Sequence, residues 1–153
     1  ELINSNFLIE KYEVYKKYPS TINIKVKKTR FYAKINNNGT TFLIGSNGRL
    51  ISNQQAYDNL PYIFGKPNIE EFLKFKRIID QSKFSYEQIK DLYYFPSKRW
   101  DIKLKDDTLL RLPNEFTNET LDFFYEFIKN NDLKEFNIVD LRIANQIILN
   151  EQK

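Results

Sequence analysis

Trp100-Asp101-Ile102-Lys103-Leu104-Lys105-Asp106-Asp107-Thr108-Leu109-Leu110-Arg111-Leu112-Pro113 is the stretch that decides the fold. Trp100, Ile102 and Leu104 alternate with Asp101, Lys103 and Lys105, the period of a strand with one apolar face. Asp106-Asp107 supplies turn chemistry, Thr108–Leu112 returns, and Pro113 stops the strand because it has no N–H to donate. This is an antiparallel hairpin. On each side of it lies a helical pattern. Upstream, Asn68 and Glu71 have the spacing of a capping box, followed by Ile69, Phe72, Leu73 and Ile79 at helical intervals. Downstream, Thr117 can cap a helix whose apolar face is Leu121, Phe124, Tyr125 and Ile128. Beyond that helix, Phe136–Ile143 and Gln146–Leu149 read as two strands close together.

Further upstream the pattern is again extended. Ile9–Lys17 alternates, Tyr18-Pro19-Ser20-Thr21 turns, and Ile22, Ile24 and Val26 alternate with Asn23, Lys25 and Lys27. With Phe31, Ala33 and Ile35 these segments predict a short sheet with one wet face. Asn36-Asn37-Asn38-Gly39 is a hairpin turn. Thr40–Ile44 and Arg49–Ile51 are strands around Gly45-Ser46-Asn47-Gly48. Ser52–Asn59 is loop-like, Leu60–Gly65 is a compact apolar motif ahead of the first helix, and Phe84–Phe95 has strand character. Glu1–Asn6 reads as the end of a helix. Hairpins in place of long crossovers predict an α+β fold: a partial sheet, then a mainly antiparallel β domain with two packed helices.

Composition narrows function mostly by exclusion. The chain of 153 residues has no Cys, no His and no Met, with 13 Phe, 10 Tyr and one Trp. Thiol nucleophiles, zinc-thiolate sites and histidine bases are excluded. The glycines lack the spacing of a phosphate loop. Asp106-Asp107 fits a turn better than a catalytic pair, and Asp140 reads as an ion-pair partner for Arg142. These readings predict no catalytic residue, no cofactor and no metal. No apolar run approaches the roughly 20 residues of a membrane span. Absence of an initiating Met reads as a processed chain or an excised piece. The formal charge of +4 leaves nucleic acid as the alternative reading, through Lys16, Lys17, Lys25, Lys27, Lys28, Arg30 and Lys34 interleaved with Tyr15, Tyr18, Phe31 and Tyr32. The lysines fall where alternation sends them to solvent, which is also how exposed strands avoid edge pairing.

Several segments, in order, resemble the extracytoplasmic region of the FtsQ/DivIB family of bacterial cell-division proteins. Tyr12–Ile35 is similar to the end of its POTRA domain. Phe42-Leu43-Ile44 with Asn47-Gly48 resembles the hairpin that opens its β domain, Leu60-Pro61 through Gly65 its LP-x-x-x-G motif, Arg99-Trp100 through Leu112-Pro113 the following hairpin, and Val139-Asp140-Leu141-Arg142 its VDLR signature. The hairpin and VDLR segments look alphaproteobacterial. The family's Glu and Pro ahead of the POTRA exit strand are replaced here by Lys28 and Phe31-Tyr32. The resemblance implies the C-terminal part of a POTRA domain in residues 1–36 and an FtsQ-type β domain in 37–153. It also implies a non-enzymatic divisome scaffold, anchored in the inner membrane by an upstream helix with this region in the periplasm. The implied partners are FtsB and FtsL, with other divisome proteins beside them and no nucleic acid. Ile143, Asn145, Gln146, Ile147, Ile148 and Leu149 match the family's binding region, with Lys98 and Arg99 as nearby cationic contacts. The residues agree independently: Ile147-Ile148-Leu149 is an apolar strand at the end of the chain, and a sheet edge with apolar side chains accepts an added strand.

Overall fold

A computed structural model describes residues 6, 8–52, 57, 59–131 and 136–151. The helix end expected over Glu1–Asn6 and most of the loop expected over Ser52–Asn59 lie outside the described residues. The chain forms two compact units, residues 1–58 and 59–153, and the expected division between Asn36 and Asn37 falls within a strand of the first.

The first unit is all strand. β1 (Ile9–Lys17) and β2 (Thr21–Lys28) form an antiparallel hairpin in which Tyr12 faces Val26 and Val14 faces Ile24. β3 (Phe31–Asn37), β4 (Thr40–Gly45) and β5 (Leu50–Ser52) form an antiparallel meander. The Asn-Gly turn is present: Asn38 and Gly39 both have positive φ, at 50° and 86°, as a tight right-twisted hairpin needs. One expectation is corrected. β1–β2 is a sheet separate from β3–β4–β5, and the side chains of Val14, Ile22, Ile24 and Val26 are exposed instead of half-buried. Alternation shows which face is apolar; it does not supply a layer to cover that face. A polar joint holds the hairpin to the meander. Glu10 accepts from Lys27 and Ser46, the Ser46 hydroxyl accepts from the Arg30 N–H at 3.0 Å, and the Thr29 N–H donates to the Leu8 carbonyl at 2.8 Å.

The second unit is a sheet in the spatial order β6, β7, β8, β9, β10, β11 with two helices on one face. Its elements are β6 (Tyr62–Phe64), α1 (Ile69–Gln81), β7 (Ile89–Tyr94), β8 (Trp100–Leu104), β9 (Leu109–Arg111), α2 (Asn118–Asn130), β10 (Phe136–Asp140) and β11 (Ile148–Glu151). The capping box of α1 is as expected: the Asn68 side chain accepts from the Glu71 N–H at 2.8 Å, and Glu71 accepts from the Asn68 N–H at 3.2 Å. The strand expected over Phe84–Phe95 is shorter, because Tyr86–Gln88 forms a 3-10 turn. The sheet also contains two parallel pairings, β6 with β7 and β9 with β10. Each is closed by a helix, α1 and α2 respectively, so short crossovers accompany the hairpins.

Strand register builds the core as a row. Ile63, Leu92, Ile102, Leu110, Val139 and Leu149 lie directly opposite one another from β6 to β11. The first five are buried, and Leu149 at the edge is partly so. Onto this face α1 packs Phe72, Phe75 and Ile79, and α2 packs Leu121 and Phe124. Trp100 closes the layer, its ring 4.6 Å from Phe75 and 4.7 Å from Tyr94.

Candidate functional site

The last described strand, β11, is short and lies at the edge of the second unit's sheet. It reaches that position through a reverse turn: the Gln146 N–H donates to the Ile143 carbonyl at 3.2 Å, and Asn145 adopts φ 58°, a conformation Asn tolerates. The chain then runs antiparallel to β10, with Val139 opposite Leu149 and Asp140 opposite Ile148. Alternation along β11 sends Leu149 to the helix-covered face and Ile148 to the other, where it is 42% exposed. Ile147 is half-buried just before the strand. Ile143 and Asn145 sit in the turn, and Ile143 is exposed. With Phe123, Glu119, Arg142 and Gln146 it lines a groove of about 330 Å³ beside the N-terminus of α2.

The two expected cationic contacts diverge. Lys98 occupies a positive φ of 64° in the β7–β8 turn and approaches Glu71 on α1 at 3.6 Å, on the helix side. There Glu71 also accepts from the Tyr94 hydroxyl at 2.7 Å; burial, with this bond adding to it, pushes that phenol up to about 12. Arg99 goes to the open face. Its guanidinium lies over the Phe95 ring at 4.4 Å and holds Asp101 with N–O distances of 3.1 and 3.3 Å.

Asp101 is one member of a charged ladder not visible in the sequence. It lies opposite Arg111 on β9, and Arg111 lies opposite Asp140 on β10, with an Arg111–Asp140 separation of 3.9 Å. Arg142 closes the series: its side chain reaches the two Asp140 oxygens at 2.6 to 2.9 Å, and its N–H donates to the same carboxylate at 3.0 Å. The two carboxylates respond differently. The Arg142 hydrogen bonds hold Asp140 below its ordinary value against the opposing effect of burial. Burial pushes Asp101 above its ordinary value, and this outweighs Arg99 and the Leu112 N–H. Arg99, Arg111, Arg142 and Ile148 thus meet at one end of the sheet, where β8 and β11 begin and β9 and β10 finish.

The expected ion pair between Asp140 and Arg142 is present. Asp106 accepts from the Thr108 N–H at 3.0 Å, and Asp107 pairs with Lys90 at 2.8 Å, as turn residues do. Among the described residues no group of three or more acidic side chains is placed to hold a metal ion, and no helix is long and apolar enough to cross a membrane.

No curated protein matches the chain. Among solved structures, the major extracytoplasmic domain of the trans isomer of the bacterial cell division protein DivIB from Geobacillus stearothermophilus is similar over 71% of this chain and 92% of its own, at 15% identity and a TM-score of 0.46. The family described as cell division protein FtsQ/DivIB, C-terminal, matches residues 33–142. That span takes in the β3–β4 hairpin, the parallel and antiparallel pairings of β6 to β10, both helices and Arg142, so the chain belongs to the FtsQ/DivIB family of cell-division proteins.

Proposed function

We propose that this protein is a non-enzymatic scaffold of the divisome that binds FtsB, together with FtsL, by accepting a strand at β11. In this reading residues 1–36 are the C-terminal part of a POTRA domain and 37–153 an FtsQ-type β domain. The whole stands in the periplasm, tethered to the inner membrane by an upstream helix.

The observation that carries the reading is the edge itself. Among the described residues no strand pairs with the outer side of β11, so its outward N–H and C=O groups lack a partner in the sheet. An incoming strand would satisfy them, with alternate side chains meeting Ile148 and Leu149 in register. The guanidiniums of Arg99, Arg111 and Arg142 lie at the start of the same strand and suit a partner carboxylate. Exposed Ile143 and Phe123 offer an apolar seat beside them.

The test is calorimetric titration of this chain with the periplasmic FtsB–FtsL complex from the same organism. Ile148→Pro removes the N–H by which β11 is held to Asp140 on β10 and so displaces the edge, and deletion of Gln146–Lys153 removes the edge; each should weaken binding by at least about tenfold, or 1.4 kcal/mol. Trp100 fluorescence checks that the fold persists. Unchanged affinity in both variants would sink the proposal.

A further inference from the structure

The excess charge of this protein is gathered in one element. Residues 9–28, the β1–β2 hairpin, hold six lysines and two glutamates, which is the whole formal excess of +4; the rest of the chain is balanced. Both glutamates are engaged within the first unit. Glu10 accepts from Lys27 and Ser46, and Glu13 accepts from the Tyr15 hydroxyl and pairs with Lys11 at 2.9 Å. Lys25 lies over the Tyr15 ring at 5.2 Å. Lys16, Lys17 and Lys28 have no acidic partner among the described residues. Two of these three stand at the turn. Register puts Lys16 opposite Ile22 and Lys17 opposite Thr21, so strand alternation sends the two lysines to opposite faces of the hairpin, with Tyr18 following at the tip. Tyr18 is 89% exposed, and Ile22, at 62%, is the most exposed aliphatic residue of the hairpin. A concavity of about 210 Å³ at the turn is lined by residues 16–22, whose lysine ammonium groups and Ser20 and Thr21 hydroxyls can all donate hydrogen bonds.

We propose that this hairpin tip is a contact for an anionic phospholipid surface: Lys16 and Lys17 meet headgroup phosphates while Tyr18 and Ile22 enter the boundary between headgroups and acyl chains. The inference rests on the reading that the chain is tethered to the inner membrane, which holds the tip at a high effective concentration of lipid. It adds a peripheral contact to that tether.

Two features favour lipid over nucleic acid, the other polyanion that a basic patch attracts. An exposed isoleucine directly opposite Lys16 has nothing to meet on a phosphate backbone, whereas an interfacial segment uses its cations and its apolar side chains together. A run of bases needs successive rings to stack on, and the tip carries one tyrosine; a single Tyr flanked by lysines suits the headgroup level, where its ring is half apolar and its hydroxyl wet. Lysines spaced along exposed strands also discourage edge pairing. That accounts for Lys11, Lys25, Lys27 and Lys28 along the hairpin, but it gives no reason for a tyrosine and an isoleucine left exposed beside two lysines at its turn.

The test is co-sedimentation of this chain with vesicles of phosphatidylglycerol and phosphatidylethanolamine, against vesicles of phosphatidylcholine alone. Binding to the anionic vesicles only, falling as salt rises, is expected. Lys16→Glu combined with Lys17→Glu should weaken it by at least about tenfold, and Tyr18→Ser by a smaller factor. Lys66→Glu combined with Lys105→Glu makes the same change in net charge at two exposed positions of the second unit and should leave most of the binding in place. Unchanged Trp100 fluorescence and circular dichroism show that the variants fold. An equal loss in the Lys66 and Lys105 pair would make binding a matter of net charge and overturn the proposal, as would no sedimentation with either vesicle or equal sedimentation with both. Binding of a single-stranded oligonucleotide in place of the vesicles, lost in the Lys16 and Lys17 pair, would assign the tip to nucleic acid and overturn it as well. Fractionation of the full-length gene product separates the two readings: recovery among soluble proteins removes the tether, whereas recovery with the membrane, when this chain ignores anionic vesicles, overturns the tip contact alone.

Discussion

Gly65 ends β6 in the LP-x-x-x-G segment and turns the chain toward α1, and replacing it with Ala tests whether that glycine is required by geometry. Its φ is 104°, and a Cβ built there would stand 2.2 Å from the Tyr94 carbonyl oxygen, 3.1 Å from the carbonyl carbon and 3.2 Å from the Tyr94 Cβ. Two costs add. An L residue held in that backbone region pays about 1–3 kcal/mol. The oxygen contact must also open by about 1 Å to reach an ordinary separation, and since both partners are backbone, the end of the β6–β7 ladder has to give, at about 1 kcal/mol for each hydrogen bond lost. Gly65→Ala should therefore lose about 3 kcal/mol or more, a large part of the 5–15 kcal/mol that holds a domain together. Gly39→Ala is the control, because Gly39 also has positive φ, at 86°, yet nothing lies within 4 Å of its built Cβ; only the conformational cost of about 1 kcal/mol applies. Urea denaturation followed through Trp100, the chain's one tryptophan, reads both variants. The Gly65→Ala midpoint should fall by about 1 M or more. Equal midpoints for the two variants would refute the steric argument and with it the account of why this motif ends in glycine.

Asn68→Ala removes the side-chain half of the α1 capping box and should lower stability by about 1 kcal/mol in the same urea assay; a change within error would mean that α1 is held by packing alone. The ladder carboxylates should show opposite pH behaviour in Asn variants. Asp140 is depressed in the folded state, so its contribution is present above its ordinary value of 3.8 and is lost as pH falls through the lower folded value. The stability gap between the parent chain and Asp140→Asn should therefore close in strong acid. Asp101 is raised in the folded state, so the parent chain loses stability relative to Asp101→Asn as pH climbs from 3.8 through that raised value; parallel pH profiles for the two variants would contradict the assignment.

What was legible in the sequence was local. The β8–β9 hairpin, the Asn38-Gly39 turn and the Asn68–Glu71 capping box depend on residues a few positions apart, and each is found as read. Features that depend on distant partners were not legible. Tyr62–Phe64 is only three residues long, too short for alternation to register, and it becomes a strand by pairing in parallel with β7 across the whole of α1. Periodicity identified the apolar face of β1–β2 correctly but had no means of showing that the face is open. The site was partly legible in the same sense. Asp140 and Arg142 are two residues apart and their pairing was foreseen, whereas Arg111 enters the ladder only through the parallel register of β9 and β10. The signal available was the repeated Arg-x-Asp and Asp-x-Arg spacing at 99–101 and 140–142. Lys98 and Arg99, adjacent in sequence, are both expected as cationic contacts, but the β7–β8 turn sends Lys98 toward Glu71 on the helix side and Arg99 to Asp101 on the open face.

The composition of β11 bears on whether this edge is built to bind. Edge strands usually carry devices that discourage pairing, most often lysines, prolines or bulges that twist the strand away. β1 and β2 show the lysine device plainly, with Lys11, Lys16, Lys17, Lys25, Lys27 and Lys28 on a hairpin exposed to solvent. β11, Ile148-Leu149-Asn150-Glu151, has neither lysine nor proline, in a chain where Lys and Arg number 24. Nearby cations are instead gathered onto the open face and pinned by buried Asp101 and Asp140. That arrangement leaves the hydrogen-bonding edge unguarded and concentrates positive charge beside it, which opposes basic strands, including a second copy of β1 or β2, and favours an acidic one. In the proposed function, edge and ladder together would form a selective acceptor: the backbone supplies pairing that any strand could use, and the arginines would decide which strand arrives.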